Sequence, residues 1–435
     1  MTTIDRDRTE RRVEDHPLLQ TRPEVPADLE ALAQEREWPD GLLRQATDLR
    51  VPRDYVRACL EDPQFEPGRL AWELDTLRRT FDGPLRVREA TWRDGEAVAD
   101  LYANSPEGVG DWRLDVHRGP NPFAAFRLQE HPNLQLVECR GVVLGAAAHA
   151  SRNSIVAGQR LSVHFISAWR VREGFRGYGL ANVLQMSAGP AMGWFGVVTY
   201  WYERIGNTSQ GWLDKIKERS DAGDELTASV HAIPAGASTD GLASSDGLSL
   251  RPVRPDDLPR CVELVNRTHV GLDLFRPYTV EFLETHLDDP TWGPKPSFWS
   301  PVFGWDDYVV VEDRTGTVVA CGGLWDRGRD LREVWSNEHT GEHRSIEATA
   351  LLDWGYEAGR SDAMVALLRS FLERTARLGR THLLAPLEHT PDVADLVVPL
   401  RPELEVRRVR SMTYQDDAVR VEAELTRPYT DLAYW

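Results

Sequence analysis

The stretch that most limits how this chain can fold runs from Val171 to Leu184, Val-Arg-Glu-Gly-Phe-Arg-Gly-Tyr-Gly-Leu-Ala-Asn-Val-Leu. It follows a β-rich run, Leu161 to Val171. It opens an apolar-periodic segment that reads as a helix from about Gly179 to Ala191. Strand, glycine-bearing turn and helix start gather several backbone N–H groups around one small concavity. Such a concavity favours anions, phosphate above all, because unpaired N–H groups and the helix dipole both attract negative charge. Gly177 and Gly179 let the backbone curl and approach a ligand without a Cβ in the way. Arg176 adds a fixed positive charge. Glycines at a strand-to-helix junction also serve turn geometry alone. The run is not a P-loop, since no Gly-Lys-Ser/Thr ends it. It is not the dinucleotide fingerprint, since G-x-G-x-x-G is absent.

Bulk properties narrow the function classes. At 435 residues the chain is too long for one ordinary domain, and two or three are expected. With 41% hydrophobic and 28% charged residues the composition is that of a soluble globular protein. No apolar run is long enough to span a bilayer, and Met1 to Arg6 lacks a signal-peptide core. Four scattered cysteines, Cys59, Cys139, Cys261 and Cys321, show no metal spacing and argue against a disulfide framework. No metal is expected, and a reducing cytoplasm is the simple inference. A net charge of −18 argues against nucleic-acid or membrane partners, which need a basic footprint. That charge fits a cationic or neutral acceptor, and it equally serves solubility.

Residues 1–84 read as a charge-rich helical extension, with helical spacing over Ala27–Glu35, Leu42–Leu49, Arg53–Leu60 and Leu70–Thr80. Residues 85–232 read as an α/β domain. Its expected strands are Leu85–Ala90, Leu134–Cys139, Val142–His149, Leu161–Val171 and Val197–Arg204. Arg140-Gly141 signals a hairpin, and Asp94 is the expected N-cap of a helix carrying Val98, Leu101 and Tyr102. A short helix is expected over Ser209–Glu218. Residues 233–249, small, polar and rich in Gly and Ser, read as a linker.

Over residues 250–435 the pattern begins again. Arg88 falls on Arg251, Asp94 on Asp257, Val98 on Cys261 and Leu101 on Leu264. Leu134–Glu138 has its counterpart in Tyr308–Glu312. A helix over Ala363–Leu378 and strands over Thr381–Leu387, Leu404–Tyr414 and Val419–Leu425 complete a second α/β unit. Its region Gly359 to Met364 carries Asp362 and no properly placed glycine, so it would repel pyrophosphate. The second unit therefore reads as a degenerate copy. Tryptophans clustered from Trp292 through Trp299 to Trp305 either line a pocket or cap a core.

The run Arg-x-x-Gly-x-Ala, Arg176 to Ala181, resembles motif A of the GNAT superfamily of N-acetyltransferases. Arg176-Gly177-Tyr178-Gly179 is closest to its histone-acetyltransferase branch. The resemblance implies a mixed α/β fold of two tandem GNAT-like domains, each a mostly antiparallel central sheet flanked by helices. It also implies an enzyme that moves an acyl group, acetyl first of all, from a CoA thioester to an amine by direct attack. Acetyl-CoA or another acyl-CoA would be co-substrate, held by Arg172, Arg176, Gly177, Tyr178, Gly179, Leu180 and Ala181. Backbone groups from Trp169 to Val171 would run beside the pantetheine.

By the same resemblance His164 takes the place of the branch's glutamate base, and a histidine suits that duty because it titrates near working pH. Asn207 matches the family's Asn after the fifth strand. The family's Tyr near the thiolate falls on Asp214, so Tyr202 or Ser209 stands as substitute acid. Two alternatives remain open: a longer acyl chain from CoA or a carrier protein, and a non-catalytic acyl-CoA sensor or scaffold. The amine acceptor is a small molecule or a peptide.

Overall fold

The computed structural model describes residues 24–39, 41–48, 53–61, 66–68, 70–71, 85–130, 132–181, 183–184, 198–205, 226–239, 242, 246–288, 302–337, 339–413 and 427–433. The expected helix over Ser209–Glu218, the strand Val419–Leu425, Asn207 and the tryptophans from Trp292 to Trp299 lie outside these residues. Strands β1 to β8 run over Arg86–Glu89, Glu107–Val109, Trp112–Arg118, Asn133–Cys139, Val142–Val156, Gln159–Val171, Val198–Arg204 and Leu226–Pro234. Strands β9 to β16 run over Ser249–Pro252, Tyr308–Glu312, Val318–Trp325, Leu331–Asn337, His343–Ile346, Ala348–Tyr356, His382–Ala385 and Glu403–Thr413. The longer helices α1 to α8 are Ala27–Glu35, Leu42–Asp48, Arg53–Glu61, Gly95–Ala103, Leu258–Thr268, Val280–Leu287, Ser361–Arg377 and Pro391–Val397. No helix among the described residues is long and apolar enough to cross a membrane.

The chain forms two compact units, and β5 and β6 pass from one to the other after His149 and Ser167. The first unit holds Met1–Pro106, Asn133–His149 and Ala168–Gly193. In it β1, β4 and β5 pair antiparallel. The β4–β5 turn places Arg140 at φ +49° and Gly141 at φ +75°, the left-handed pair that a two-residue hairpin needs. The core is Leu85, Val137, Cys139, Val142, Leu144 and Ala147, closed by Phe175, Leu180 and Leu184. Helices α1 to α3 bury their apolar faces in a cluster of their own around Leu29, Trp38, Leu43, Val56 and Leu60, with Trp92 packed against it.

The second unit carries a sheet in the order β6-β7-β16-β8-β15-β14-β11-β10-β9 and a smaller one in the order β13-β12-β3-β2. Pairing is antiparallel except for β6 with β7 and β14 with β15. Sequence periodicity did not flag β8, and its last residues, Ile233 and Pro234, fall in the stretch expected as linker. The centre of this sheet exchanges strands. After β7 the chain continues to β8, yet β7 pairs with β16, and β8 pairs with β15. β16 and β8 pair with each other.

The repeat is visible residue by residue. Asp94 accepts both guanidinium ends of Arg88 (2.6 and 2.9 Å), and Glu138 accepts Arg88 Nε at 3.0 Å. Asp257 accepts both ends of Arg251 (2.6 and 2.9 Å), and Glu312 accepts Arg251 Nε at 2.9 Å. Register repeats as well: Arg88 lies opposite Leu136, and Arg251 opposite Val310. Both copies carry a bulge before the glutamate, between Val137 and Glu138 and between Val311 and Glu312. Asp94 caps differently from expectation. Its carboxylate turns back to the Thr91 backbone N–H in a capping box over a 3-10 turn, and Asp257 does the same for Arg254.

The two knots differ in burial. Glu138 is 2% exposed, whereas Glu312 is 21% exposed. Arg88→Ala leaves a buried carboxylate without its cation and should cost about 3 kcal/mol. Arg251→Ala should cost about 1 kcal/mol. Urea denaturation of both variants checks the order; equal losses would contradict it.

Candidate functional site

Strand β6 ends at Val171, and a 3-10 turn, Glu173–Phe175, follows. Arg172 anchors this exit. Its N–H donates to the Leu144 carbonyl at 2.8 Å, its Nε donates to the Val143 carbonyl at 3.3 Å, and its guanidinium pairs with Asp100. The Glu173 N–H donates to the Asn104 carbonyl at 3.1 Å. Phe175 and Leu180 are fully buried and pin the loop at both ends. Between them Arg176, with φ −67°, and Gly177 are exposed. The Arg176 guanidinium donates to the Pro106 carbonyl.

Gly177 and Gly179 both take φ +81°. A Cβ on Gly177 would meet nothing within 4 Å, so this glycine is there for its conformation and not for space. Alternating backbone handedness turns successive N–H groups toward one side, the geometry of an anion nest. A helix opens at Leu180, with the Val183 N–H returning to the Gly179 carbonyl at 3.2 Å. The first amides of a helix have no acceptor within it. The loop thus offers N–H groups, a helix start and one exposed guanidinium. Tyr178 and Ala181 are half-buried beside it, as are Trp169 and Val171 on the strand.

Sequence reasoning passed over Gly145 on β5. A Cβ there would lie 2.9 Å from the Arg170 carbonyl oxygen and 3.0 Å from Val137. The signal was available: a lone small residue in the apolar run Val142 to Ala146 marks close backbone approach.

His164 and Tyr202 belong to the second unit. The parallel pair β6–β7 matches Val163 with Val198, His164 with Thr199 and Phe165 with Tyr200, and then ends, although β7 continues to pair with β16 as far as Arg204. The strands part beyond Phe165. In register, His164 shares a face with Thr199, whose Oγ1 lies 3.5 Å from His164 Nδ1. Phe165 shares the opposite face with Tyr200 and Tyr202, at ring distances of 4.9 and 5.7 Å. The candidate base and the substitute acid therefore stand on opposite faces. His164 is 4% exposed, and burial pushes its imidazole down to about 4. Tyr202 donates its hydroxyl to the Tyr429 carbonyl at 3.0 Å, and burial raises it well above the usual phenol range.

The second copy reproduces this strand opening without the loop. β14 and β15 match Ala348 with His382, Thr349 with Leu383 and Ala350 with Leu384, and then end. The Glu357 N–H donates to the Val319 carbonyl at 2.8 Å, as Arg172 does to Leu144. There the likeness stops. α7 begins at Ser361, only a few residues on, and Asp362 in its first turn holds Arg360 at 3.0 Å.

No protein-family model and no curated protein sequence matches the chain. Among solved structures it is similar to Saccharomyces cerevisiae N-myristoyltransferase with bound myristoyl-CoA, at 12% identity over 77% of this chain and 80% of that one, with TM-score 0.52. The same enzyme with bound myristoyl-CoA and inhibitors aligns at 11% identity over 81% and 84%, with TM-score 0.52. A GCN5-related N-acetyltransferase from Sphaerobacter thermophilus aligns at 16% identity over 81% and 98%, with TM-score 0.44. At such identities the likeness is one of fold. Two tandem α/β copies with matching knots, registers and strand openings give this chain the fold of the GNAT superfamily, built twice.

Proposed function

We propose that the chain is an acyl-CoA-dependent N-acyltransferase and that the loop from Arg172 to Ala181 holds the CoA pyrophosphate. The observation that carries this reading is the pair of left-handed glycines, Gly177 and Gly179, ahead of the helix that opens at Leu180. Backbone N–H groups there meet a diphosphate with the helix dipole behind them. The second copy has lost the equivalent loop, so one donor per chain is expected. The resemblance of the loop favours acetyl-CoA. The likeness in fold to an N-myristoyltransferase keeps a longer acyl chain as the second reading. The cysteines among the described residues are buried free thiols, which fits a reducing, cytoplasmic setting.

In this reading the amine attacks the thioester carbonyl carbon. A C–N bond forms, the carbonyl electrons move to oxygen, and the collapse of that intermediate expels the CoA thiolate. The attacking nitrogen becomes strongly acidic once it is bonded to carbon. His164, neutral at pH 7, can then accept its proton. Asn207 and Tyr202 stand as the candidates for the leaving-group side on the resemblance alone. Tyr202 must release the Tyr429 carbonyl before it can donate to sulfur, and its place on the face opposite His164 means that the two cannot reach the reacting carbonyl from the same side.

Calorimetry with acetyl-CoA, desulfo-CoA and myristoyl-CoA should give donor binding that Arg176→Glu and Gly179→Asp each weaken at least tenfold, with circular dichroism unchanged. Undiminished binding in both variants would end the reading. The acyl-CoA that binds best and releases thiol when an amine is present names the donor.

A base must be unprotonated to act, so the acid limb of kcat/KM should fall near pH 4, where His164 titrates. His164→Ala should remove that limb and lower the rate by roughly 10² to 10⁴. An acid limb that survives the substitution would take His164 out of the mechanism.

A further inference from the structure

Two arginines flank the exit of β6, and they are held differently. Arg172 is largely buried, with 13% of its side chain exposed. Its Nε donates to the Val143 carbonyl at 3.3 Å, and its guanidinium pairs with Asp100 on α4. Arg176 is exposed and donates to the neutral Pro106 carbonyl. A guanidinium committed to a carboxylate and a strand carbonyl has little left to offer a diphosphate. One resting on a neutral acceptor keeps its charge for a ligand.

Asp100 is itself fixed. It stands in the last turn of α4, where Asn104 is the C-cap. Asn104 Nδ2 donates to Asp100 Oδ1 at 2.8 Å, and Asp100 Oδ2 is turned to Arg172. The Asn104 carbonyl accepts the Glu173 N–H at 3.1 Å. Arg172, Asp100, Asn104 and Glu173 thus close a ring between the end of α4 and the first residues of the loop. Gly177 and Gly179 give the loop backbone more freedom than other residues would. Its shape therefore depends on how its entry is held.

The second copy keeps this latch with its charges exchanged. The matches of Asp94 with Asp257 and Leu101 with Leu264 set Ala97 against Arg260 and Asp100 against Glu263. The equivalent N–H bonds, Arg172 to Leu144 and Glu357 to Val319, set Arg172 against Glu357 and Val143 against Val318. In this copy the guanidinium comes from the helix. Arg260 Nε donates to the Val318 carbonyl at 3.1 Å, and its fork reaches Glu357 at 3.1 Å and Glu263 at 2.7 Å. One cation, one strand carbonyl and one acid recur, while helix and strand trade sides. The pair is what persists, and it persists in a copy without the loop. It belongs to the frame on which the loop is built.

We propose that Arg172 is a positioning residue and not a contact of the diphosphate, and that Asp100, through Arg172 and Asn104, holds the loop amides in the arrangement that binds it. The proposal rests on the reading of this loop as the donor site. A loop held beforehand in its binding shape loses less entropy when the ligand arrives. The two roles of Arg172 differ in sign. If its guanidinium touched the diphosphate, removing the charge of Asp100 would release it and tighten binding.

The test is calorimetry of the full chain with desulfo-CoA, joined to amide hydrogen exchange without ligand. Asp100→Asn should weaken binding about threefold, the scale of a partly exposed ion pair. Arg172→Glu should weaken it about tenfold, since it sets a carboxylate beside Asp100 and takes the fork from Val143. Ala97→Arg added to Arg172→Glu rebuilds the arrangement of the second copy and should recover most of that loss. Ala97→Arg alone should leave affinity unchanged. Exchange at the Glu173 amide should quicken in Arg172→Glu and slow again in the double variant, with the core of β4 unmoved. Tighter binding in Asp100→Asn overturns the proposal, as does a double variant that stays as weak as Arg172→Glu, or Glu173 exchange that Arg172→Glu does not change. Should Arg172→Glu fail to fold, Asp100→Asn still decides. Wild-type protein that binds no desulfo-CoA would end the donor reading, and Glu173 exchange, which needs no ligand, tells that result from a failed latch.

Discussion

A single backbone reversal inside a strand shapes both copies. Ala168 in β6 and Asp353 in β14 take left-handed φ values, and at Asp353 the β11–β14 ladder slips register, with Leu352 opposite Gly323 and Gly355 opposite Cys321. Each bend is held by a tyrosine: the Tyr102 hydroxyl donates to the Ala168 carbonyl, and the Tyr308 hydroxyl to the Asp353 carbonyl, both at 2.5 Å. The two tyrosines come from different elements, an early helix in one copy and a strand in the other. The constraint was kept while the means of meeting it changed. In each copy the parallel partner strand leaves after three matched residues, shortly before the bend.

Much of this was readable from residue types. Arg88, Asp94 and Glu138 aligned with Arg251, Asp257 and Glu312 by spacing alone, and their side chains form the same knot. A bidentate arginine leaves little freedom in where its acids can stand. Gly177 and Gly179 announced positive φ because few other residues adopt it cheaply. The Arg140-Gly141 hairpin was legible for the same reason. What escaped was non-local. β8 carries half-buried polar residues such as His231, and its alternation is weak. Its strand character comes from β15 and β16 on either side of it. The bend at Ala168 was invisible too, because alanine has no preference for that conformation. The buried Asp353–His286 pair joins β14 to α6, which no local pattern connects.

The two copies show how a loop can be lost while a scaffold persists. From Arg172 onward the first copy spends eight residues, Arg172 to Gly179, before its helix opens. The second needs only Glu357 to Arg360 before α7. The shorter turn is closed by an Arg360–Asp362 pair, which places a carboxylate where an anion would otherwise meet the first helical turn. Upstream, the hydrogen bond from Glu357 to Val319 repeats the one from Arg172 to Leu144. The copies thus agree up to this hydrogen bond and differ in the turn that follows it.

The crossed strands at the centre of the larger sheet carry a consequence for how this sequence can change over time. β7 is flanked by a strand encoded some two hundred residues downstream, Glu403–Thr413, and that strand's other neighbour is β8. A substitution in Glu403–Thr413 is therefore felt directly beside Tyr200 and Tyr202. The degenerate half cannot be shed or left to drift as a spent duplicate would be, because its strand Glu403–Thr413 is a wall of its sibling. Tandem descent here has ended in mutual custody, and selection on one half must conserve the other.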